Sequence, residues 1–362
     1  VNWSNRIEQK AYFIKLLNWE YWPTLAFYWP MFVYGPLLAL RSRHPCFFTG
    51  TNPSIDAGGL GLESKYATLE LIPAEMRPIS LLVSTGETFE YTQQKINAAG
   101  LQFPIIAKPD VGYRGFLVQK IHSEAELRDY LNRYSIPIIL QEFLQHPVEV
   151  GLLYFRLPGE ATGRITSFTQ KEFLHVIGDG KSSVLELVTA KPRALLQLQR
   201  LQSSYGDELL QSIPAIGERV SLGEIGNHSK GTYFINGNHL INPKMVAAFD
   251  RIADQIPGFD YGRFDLKCMR LEDLQRGENL KVIELNGIGA EPTHIYDQTM
   301  MTYPKAVLTI LWHWTMIRKI AALNHRKGTP YWKTLRILRA LANLRQYHKN
   351  IREAITRNTF TD

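Results

Sequence analysis

The chain has 362 residues, enough for two or three domains of roughly 100–200 residues each. Its 45% hydrophobic and 21% charged residues exclude a mostly disordered chain and a polytopic membrane protein. Two cysteines, Cys46 and Cys268, are too few for a disulfide framework or a thiolate zinc site and suit a reducing, cytoplasmic compartment; no secretory signal is visible. The net charge of +7 is uneven: residues 303–362 hold twelve Lys/Arg against two acids, and the other 302 residues hold 29 against 32. A basic tail on a slightly acidic body points to an anionic surface. Lipid is favoured over nucleic acid, because few aromatics interleave with the basic residues as a single-strand channel requires.

Tyr21–Leu40 runs for twenty residues without a charge, the length of a membrane-spanning helix. Pro23, Pro30, Gly35 and Pro36 interrupt it, however, and seven of its residues are aromatic. Three readings stand, in this order: an interfacial or re-entrant anchor, an apolar segment packed on its own protein, and a spanning helix. Residues 47–63 are rich in turn formers, with glycines at 50, 58, 59 and 61 that match neither a dinucleotide fingerprint nor a P-loop. A loop over a substrate and a plain connector are both open. The stretch 64–80 predicts a short helix and a proline-bounded turn.

Strand and helix patterns alternate from Pro104 onward. Residues 103–109 form a short β-branched run ending at Lys108, and a turn-rich stretch and a second strand follow. Ser123 with Glu126 predicts a capping box and a helix to about Arg133. Strands are expected over 136–144, 148–157 and 163–173, then a helix over Pro243–Gln255 and strands over 262–269 and 281–287. The expectation is a mixed α+β architecture. In the final segment Ile337, Leu341, Leu344, Ile351 and Ile355 recur at helical spacing, with Arg336, Arg339, Arg345 and Lys349 off that stripe. Such a helix either packs on the body or lies on a membrane surface, with Trp312, Trp314 and Trp332 as interface anchors.

The chemistry concentrates in the strands Gly262-Arg263-Phe264-Asp265 and Glu284-Leu285-Asn286. Period-two alternation puts Glu284 and Asn286 on one strand face, and Arg263 on the face of Asp265. Two carboxylates and an amide oxygen make a hard, oxygen-only donor set of the kind that holds Mg²⁺ (or Mn²⁺), with phosphate oxygens completing the octahedron. A cation such as Arg263 beside that metal can stabilise charge that builds up in a transition state.

These residues resemble the ATP-grasp superfamily, most closely D-alanine–D-alanine ligases and the ATP-grasp part of cyanophycin synthetases, over roughly residues 64–298. The resemblance implies two α+β lobes enclosing ATP, with Asp265, Glu284 and Asn286 as metal ligands. It implies Lys108 and Lys171 as phosphate-facing cations, with Lys181 a weaker one. Val111, Gly112, Tyr113, Arg114 and Gly115 correspond to a phosphate lid, Gln141, Glu142, Phe143 and Leu144 to an adenine-reading hinge, and Glu149 to the ribose acid. His228 and Lys230 fall in a phosphate-facing loop. His175 lies in an apolar run and reads as structural. Glu291 departs from the family's small, polar loop, and an amine-bearing substrate is one reading of it. The implied organisation is an aromatic N-terminal segment (1–44), a short pre-ATP-grasp region (45–85), an ATP-grasp domain (86–302, its small lobe ending near 145) and a basic helical tail (303–362).

The resemblance implies an ADP-forming carboxylate–amine ligase using ATP, a small carboxylic acid and an amine, with Arg263 and Lys171 as catalytic cations. No nucleic acid is expected. The termini add a peripheral location on the inner face of a membrane. An ATP-grasp kinase and a non-catalytic, membrane-attached ATP-binding protein are the alternatives. The site that grips the first D-alanine in the dipeptide ligases is not recognisable, so the substrate stays open.

Overall fold

The structure is a computed structural model that describes residues 3–112, 115, 117–223, 226 and 228–359, with backbone only at 3–5, 229 and 352–359. The chain opens with helices α1 (Trp3–Leu17), α2 (Thr24–Phe27) and α3 (Met31–Ser42), and Pro36 lies inside α3. The charge-free run is thus broken into pieces too short to cross a bilayer as one helix. It packs in part on its own protein. Trp19 and Phe27 stack at 5.5 Å and share a cluster with Ile295 and Ile310, and Leu38 is fully buried. The opposite faces stay open, with Leu25, Trp29, Phe32, Val33 and Leu40 exposed.

Helix α4 (Lys65–Glu70) is capped by Ser64, whose hydroxyl accepts from the Ala67 amide, and leads into the small lobe. That lobe comprises β1 (Ser80–Val83), α5 (Phe89–Ala99), β2 (Ile105–Pro109), β3 (Gln119–Ile121), α6 (Glu124–Arg133) and β4 (Ile138–Glu142). Its antiparallel sheet has the order β1-β4-β2-β3, and Ile105, Ile121, Leu127 and Ile138 fill its core. The predicted α6 cap is present: Ser123 Oγ accepts from the Glu126 amide at 3.3 Å. The Glu126 carboxylate reaches back to His122 N rather than to Ser123 N.

The large lobe follows, with β5 (Val148–Phe155), β6 (Arg164–Glu172), β7 (His175–Ile177), the short helices α7 (Val184–Ala190), α8 (Pro192–Leu195), α9 (Leu198–Ser204) and α10 (Asp207–Gln211), then β8 (Arg219–Ser221), β9 (Tyr233–Asn236), α11 (Pro243–Asp254), β10 (Tyr261–Cys268) and β11 (Leu280–Asn286). Its main sheet runs β11-β10-β5-β6-β9, antiparallel throughout, and β7 pairs with β8 beside it. Met245, Ala248, Phe249, Ile252 and Ala253 recur at the spacing of one helix face and press α11 on Val150, Leu152, Phe168 and Phe264. Asn242 caps that helix and Pro243 opens it, two residue types suited to a helix start.

The other face of the sheet is divided. At one end Leu153, Phe155 and Tyr261 pack under α12 (Tyr303–Arg326) through Ile317 and Ile320. At the other end the charged residues of β5, β6, β10 and β11 floor a cleft. Among the described residues α12 is the one helix long and apolar enough to cross a membrane. Its buried Ile310, His313, Ile317, Ile320 and Asn324 nonetheless face the protein, and Asn324 Nδ2 donates to the Asp260 carboxylate at 2.8 Å. Helix α13 (Thr334–Thr359) begins against Cys46 and Ala57 through Ile337 and Leu341, passes the cleft at Leu344, and packs on α6 of the small lobe.

The glycine-rich segment at 58–61 lines the cleft through Gly59, Leu60 and Gly61 and is not a free connector. It lies edge to edge with the loop after β11: Ile288 N donates to Gly58 O at 3.1 Å and Gly289 N to Gly59 O at 2.7 Å. Gly59 has φ +85°, and a Cβ there would sit 2.5 Å from Gly287 Cα, so both positions need glycine. This contact fixes the start of the loop that carries Glu291.

Candidate active site

The two lobes and the N-terminal segment enclose a cleft of about 890 Å³. On its floor Asp265 of β10 stands opposite Glu284 of β11, and Arg263 opposite Asn286, so the register brings the two pairs that alternation predicted to the same side. Asp265 is buried and accepts three hydrogen bonds at Oδ2, from Arg263 Nε (3.1 Å), Arg263 Nη2 (2.8 Å) and Asn286 Nδ2 (2.9 Å). Its Oδ1 has Lys171 Nζ at 2.9 Å, outside hydrogen-bonding geometry, and is otherwise an orphaned buried acceptor. Burial works to raise this carboxyl, but the Arg263 and Lys171 cations outweigh it and hold Asp265 well below the usual carboxylate range.

Lys171 of β6 is shared. It donates to Glu149 Oε1 at 3.0 Å, directly across the β5–β6 register, while reaching Asp265 on the far side of β5. Burial opposes its charge, yet the two carboxylates keep its ammonium above the usual lysine range. Glu149, expected as a ribose acid, is therefore already engaged, and Gly226 presses against its carboxylate so closely that a Cβ there would overlap it.

Lys108 ends β2 and enters the cleft from the small lobe. Its ammonium donates to Gln141 Oε1 at 2.9 Å and to the Ile283 carbonyl at 3.1 Å. That carbonyl is free because the β10–β11 register slips between Asp265 and Leu266, leaving Ile283 as a bulge. With only neutral acceptors in contact, burial drives the Lys108 ammonium down to about 8, against the pull of Glu284. Gln141, Glu142, Phe143 and Leu144 line the cleft where β4 leaves for β5, and the Phe143 ring lies under Lys120 Nζ at 4.2 Å. Gly112 and Gly115 also face the cleft. Val111 follows Asp110, whose carboxylate accepts from Ser64 Oγ and the Tyr66 amide, so the base of this loop is tied to α4. Tyr113 and Arg114 lie outside the described residues. Asn227 does too.

Other expectations separate. Lys181 is exposed beside Asp179 in a turn ahead of α7, and Lys230 does not line the cleft. His175 bonds the Phe173 carbonyl at 3.0 Å. His228 does reach the cleft, where its Nε2 meets Glu20 Oε2 at 2.7 Å.

Sequence reasoning missed several lining residues. Lys65, the first residue of α4, pairs with Glu284; burial opposes its charge, but Glu284 holds its ammonium above the usual range. Lys267, on the cleft side of β10, donates to the Leu144 carbonyl at 3.3 Å. Glu20, Tyr21, Trp22, Phe27 and Tyr28 form a further wall of the cleft, contributed by the N-terminal segment. Only Lys267, two residues beyond Asp265, carried a signal: period-two spacing puts it on the same face.

The fit of these groups to an ion can be tested on the donor set. Among the described residues no cluster of three or more His, Cys, Asp or Glu residues could hold a metal. Asp265 and Glu284 supply two carboxylates, and Asp265 Oδ1 is an unsatisfied acceptor. Asn286 gives its amide nitrogen to Asp265, which leaves its carbonyl oxygen for a cation. The set fits a hard divalent ion that takes further oxygens from a phosphate-bearing substrate.

No protein-family model and no curated protein sequence matches this chain. Among solved structures it is similar to the VanG D-Ala:D-Ser ligase from Enterococcus faecalis, at 12% identity and a TM-score of 0.40, over 72% of this chain and 64% of that one. It is also similar to a bifunctional glutathione synthetase from Pasteurella multocida, at 18% identity and a TM-score of 0.38, over 72% of this chain and 38% of that one. For a D-alanine–D-alanine ligase from Bacillus anthracis the values are 11%, 0.39, 74% and 71%. The chain thus spans less than two thirds of the length of the first two. Likeness at this level decides neither activity nor substrate, which must come from the residues.

Proposed function

We propose that this chain is an ATP-grasp, ADP-forming carboxylate–amine ligase that works through an acyl phosphate. The carrying observation is the convergence of Asp265, Glu284 and Asn286 with Lys108, Lys171 and Arg263 in one cleft between two α+β lobes. Phosphoryl transfer asks a protein mainly to position its reactants and to neutralise charge. Asp265, Glu284 and Asn286 would hold Mg²⁺ or Mn²⁺, which when bound supplies charge neutralisation between adjacent phosphates. Lys108 meets phosphate from the small lobe, and Lys171 exchanges a carboxylate partner for a phosphate oxygen. The segment Gln141–Leu144 reads the nucleotide base along its backbone. Gly112, Gly115 and the neighbouring Val111, Tyr113 and Arg114 cover the phosphates, and Glu149 takes the ribose hydroxyls once Lys171 releases it. The substrate carboxylate attacks the γ-phosphate and ADP leaves. The amine then adds to the acyl carbon, and Arg263 stabilises the oxyanion before phosphate departs.

We further propose a cytoplasmic, membrane-peripheral setting with a lipid-like or envelope-precursor substrate. It is supported by the exposed Phe32, Val33, Leu37 and Leu40 of α3 and by the exposed Leu308 and Trp312 of α12, a helix packed on α3.

The test is incubation with Mg-ATP, a panel of amino and fatty acids, and hydroxylamine as a small trapping nucleophile, with Asp265→Asn as control. ADP together with a hydroxamate, both lost in the variant, is the expected result. ADP with only a stable phosphorylated product would identify a kinase. Nucleotide binding without turnover would identify a scaffold, and AMP formation would contradict the site assignment.

A further inference from the structure

The aromatic side of the cleft is built on different chemistry. Glu291 leaves the loop after β11 with its main-chain oxygen 3.2 Å from Arg263 Nη1, so it borders the place where the acyl group would react. Its carboxylate faces the cleft and accepts from two phenols, Tyr28 at Oε1 and Tyr296 at Oε2, the latter at 2.6 Å. Around it are aromatic faces. The Phe27 ring is 4.8 Å from that of Tyr28 and 6.1 Å from that of Tyr296, and Phe234 lies 6.3 Å from Tyr296.

The carboxylates of the cleft floor, and Glu20, have cations: Asp265 has Lys171 and Arg263, Glu284 has Lys65, Glu149 has Lys171, and Glu20 has Arg193 and His228; Glu63 and Glu142, which also line the cleft, accept from the Gly61 and Ile79 backbone amides. Among the described residues no Lys, Arg or His nitrogen pairs with Glu291. Phenol donors satisfy one lone pair on each oxygen and leave the remaining acceptor sites free. Burial holds this carboxyl above the usual range, opposed by the Tyr296 hydrogen bond. A desolvated carboxylate short of a counter-charge, surrounded by ring faces, is a receptor for a cation attached to an apolar body.

We propose that Glu291, Tyr28 and Tyr296 form the subsite for the second substrate, an amine that arrives as an ammonium group on an apolar or aromatic body. The N-terminal segment 19–28 then completes the active site, because it supplies Tyr28 and its aromatic surroundings and is anchored there by the Glu20 contacts with Arg193 and His228. Naming the amine as second substrate rests on the ligase reading; recognition of a cation here does not.

The experiment compares 2-phenylethylammonium with its neutral analogue 2-phenylethanol by saturation-transfer NMR. Wild type should bind the ammonium at least about tenfold more tightly than the alcohol, the size expected for a charged hydrogen bond aided by ring faces. Glu291→Gln should erase that preference, and Asp265→Asn should keep it. Tyr28→Ser leaves the loop after β11 unaltered and should weaken both probes, so a poorly folding Glu291 variant would not decide the matter. Equal binding of the two probes by wild type, or a preference that survives in Glu291→Gln, overturns the proposal. Cation preference without hydroxamate formation would break the ligase reading and keep this one. Hydroxamate formation without cation preference would break only this one.

Discussion

The floor of the cleft and its aromatic wall handle negative charge in opposite ways. On the floor Lys171, Arg263 and Lys65 match Glu149, Asp265 and Glu284, so the buried charges are nearly balanced within the protein. Buried pairs of this kind add little net stability, because desolvation consumes most of their attraction, yet removing one member is costly. At the wall, Glu20 is matched by Arg193 and His228, but the Glu291 carboxylate meets only phenols and is the unbalanced charge. A balanced floor can exchange partners when a phosphate-bearing ligand enters, whereas an unbalanced wall selects the charge of what enters.

The largest effect that would sharpen this contrast is expected from Lys171→Met, which leaves Glu149 and Asp265 facing each other without their shared cation. A loss of about 3–5 kcal/mol is expected in chemical denaturation at neutral pH. Asp265 is depressed in the folded state, so its contribution is present above the ordinary carboxylate range and is lost only as pH falls below it. Lys171 is raised, so its contribution is present below the ordinary lysine range and is lost only at higher pH. The wild-type advantage should therefore be flat around neutrality. It should shrink on acidification as Asp265, left with Arg263 as its one cation in the variant, takes up its proton, and an unchanged gap at acid pH would refute the pairing.

Asp265→Asn should lower ADP formation by about 10²–10³-fold, the cost of one misplaced charge-stabilising group. Glu291→Gln should leave hydroxamate formation within a few-fold of wild type, and an equal loss in both variants would erase the distinction between floor and wall. Gly59→Ala should cost about 1–3 kcal/mol, because its Cβ meets the Gly287 backbone. It should also disturb amine selection more than ADP formation, since the displaced loop leads to Glu291.

The smallest effect concerns pH. Lys108, lowered to about 8, loses its charge in the folded protein before it does in the unfolded chain. Nucleotide affinity should fall several-fold as pH rises from 7 to 9, and Lys108→Arg should flatten that slope. Between those two titrations the unfolded chain binds more protons, so this group alone makes stability rise with pH. A nucleotide affinity indifferent to pH would remove Lys108 from the phosphate contacts.

Much of the floor was legible because strand alternation is a local rule. Asp265 and Arg263 share a side, as do Glu284 and Asn286, for reasons contained in each short strand, whereas the meeting of the two pairs depends on the β10–β11 register. The pairing of Lys171 with Glu149 depends on the β5–β6 register, and the release of the Ile283 carbonyl to Lys108 depends on a bulge; neither is encoded in spacing along one strand. Lys65 approaches Glu284 from a helix more than two hundred residues earlier, through tertiary packing alone. The aromatic N-terminal segment was open to several readings because rings with polar edges suit a headgroup layer and a ligand pocket equally well. The structure divides the segment: Phe27 and Tyr28 turn inward, while Trp29, Phe32 and Val33 remain outside.

Helix α13 gives the molecule a further connection between its lobes. The chain segments before β1 and after β4 are two, and α13 is a third, gripping the body at Ile337 and reaching α6 beyond Leu344. A clamshell with a single joint swings freely, but one that is also strapped opens only as far as its strap gives. Any parting of the lobes to exchange nucleotide must stretch or lift this helix, so residence time would be governed by a local unfolding step as well as by affinity.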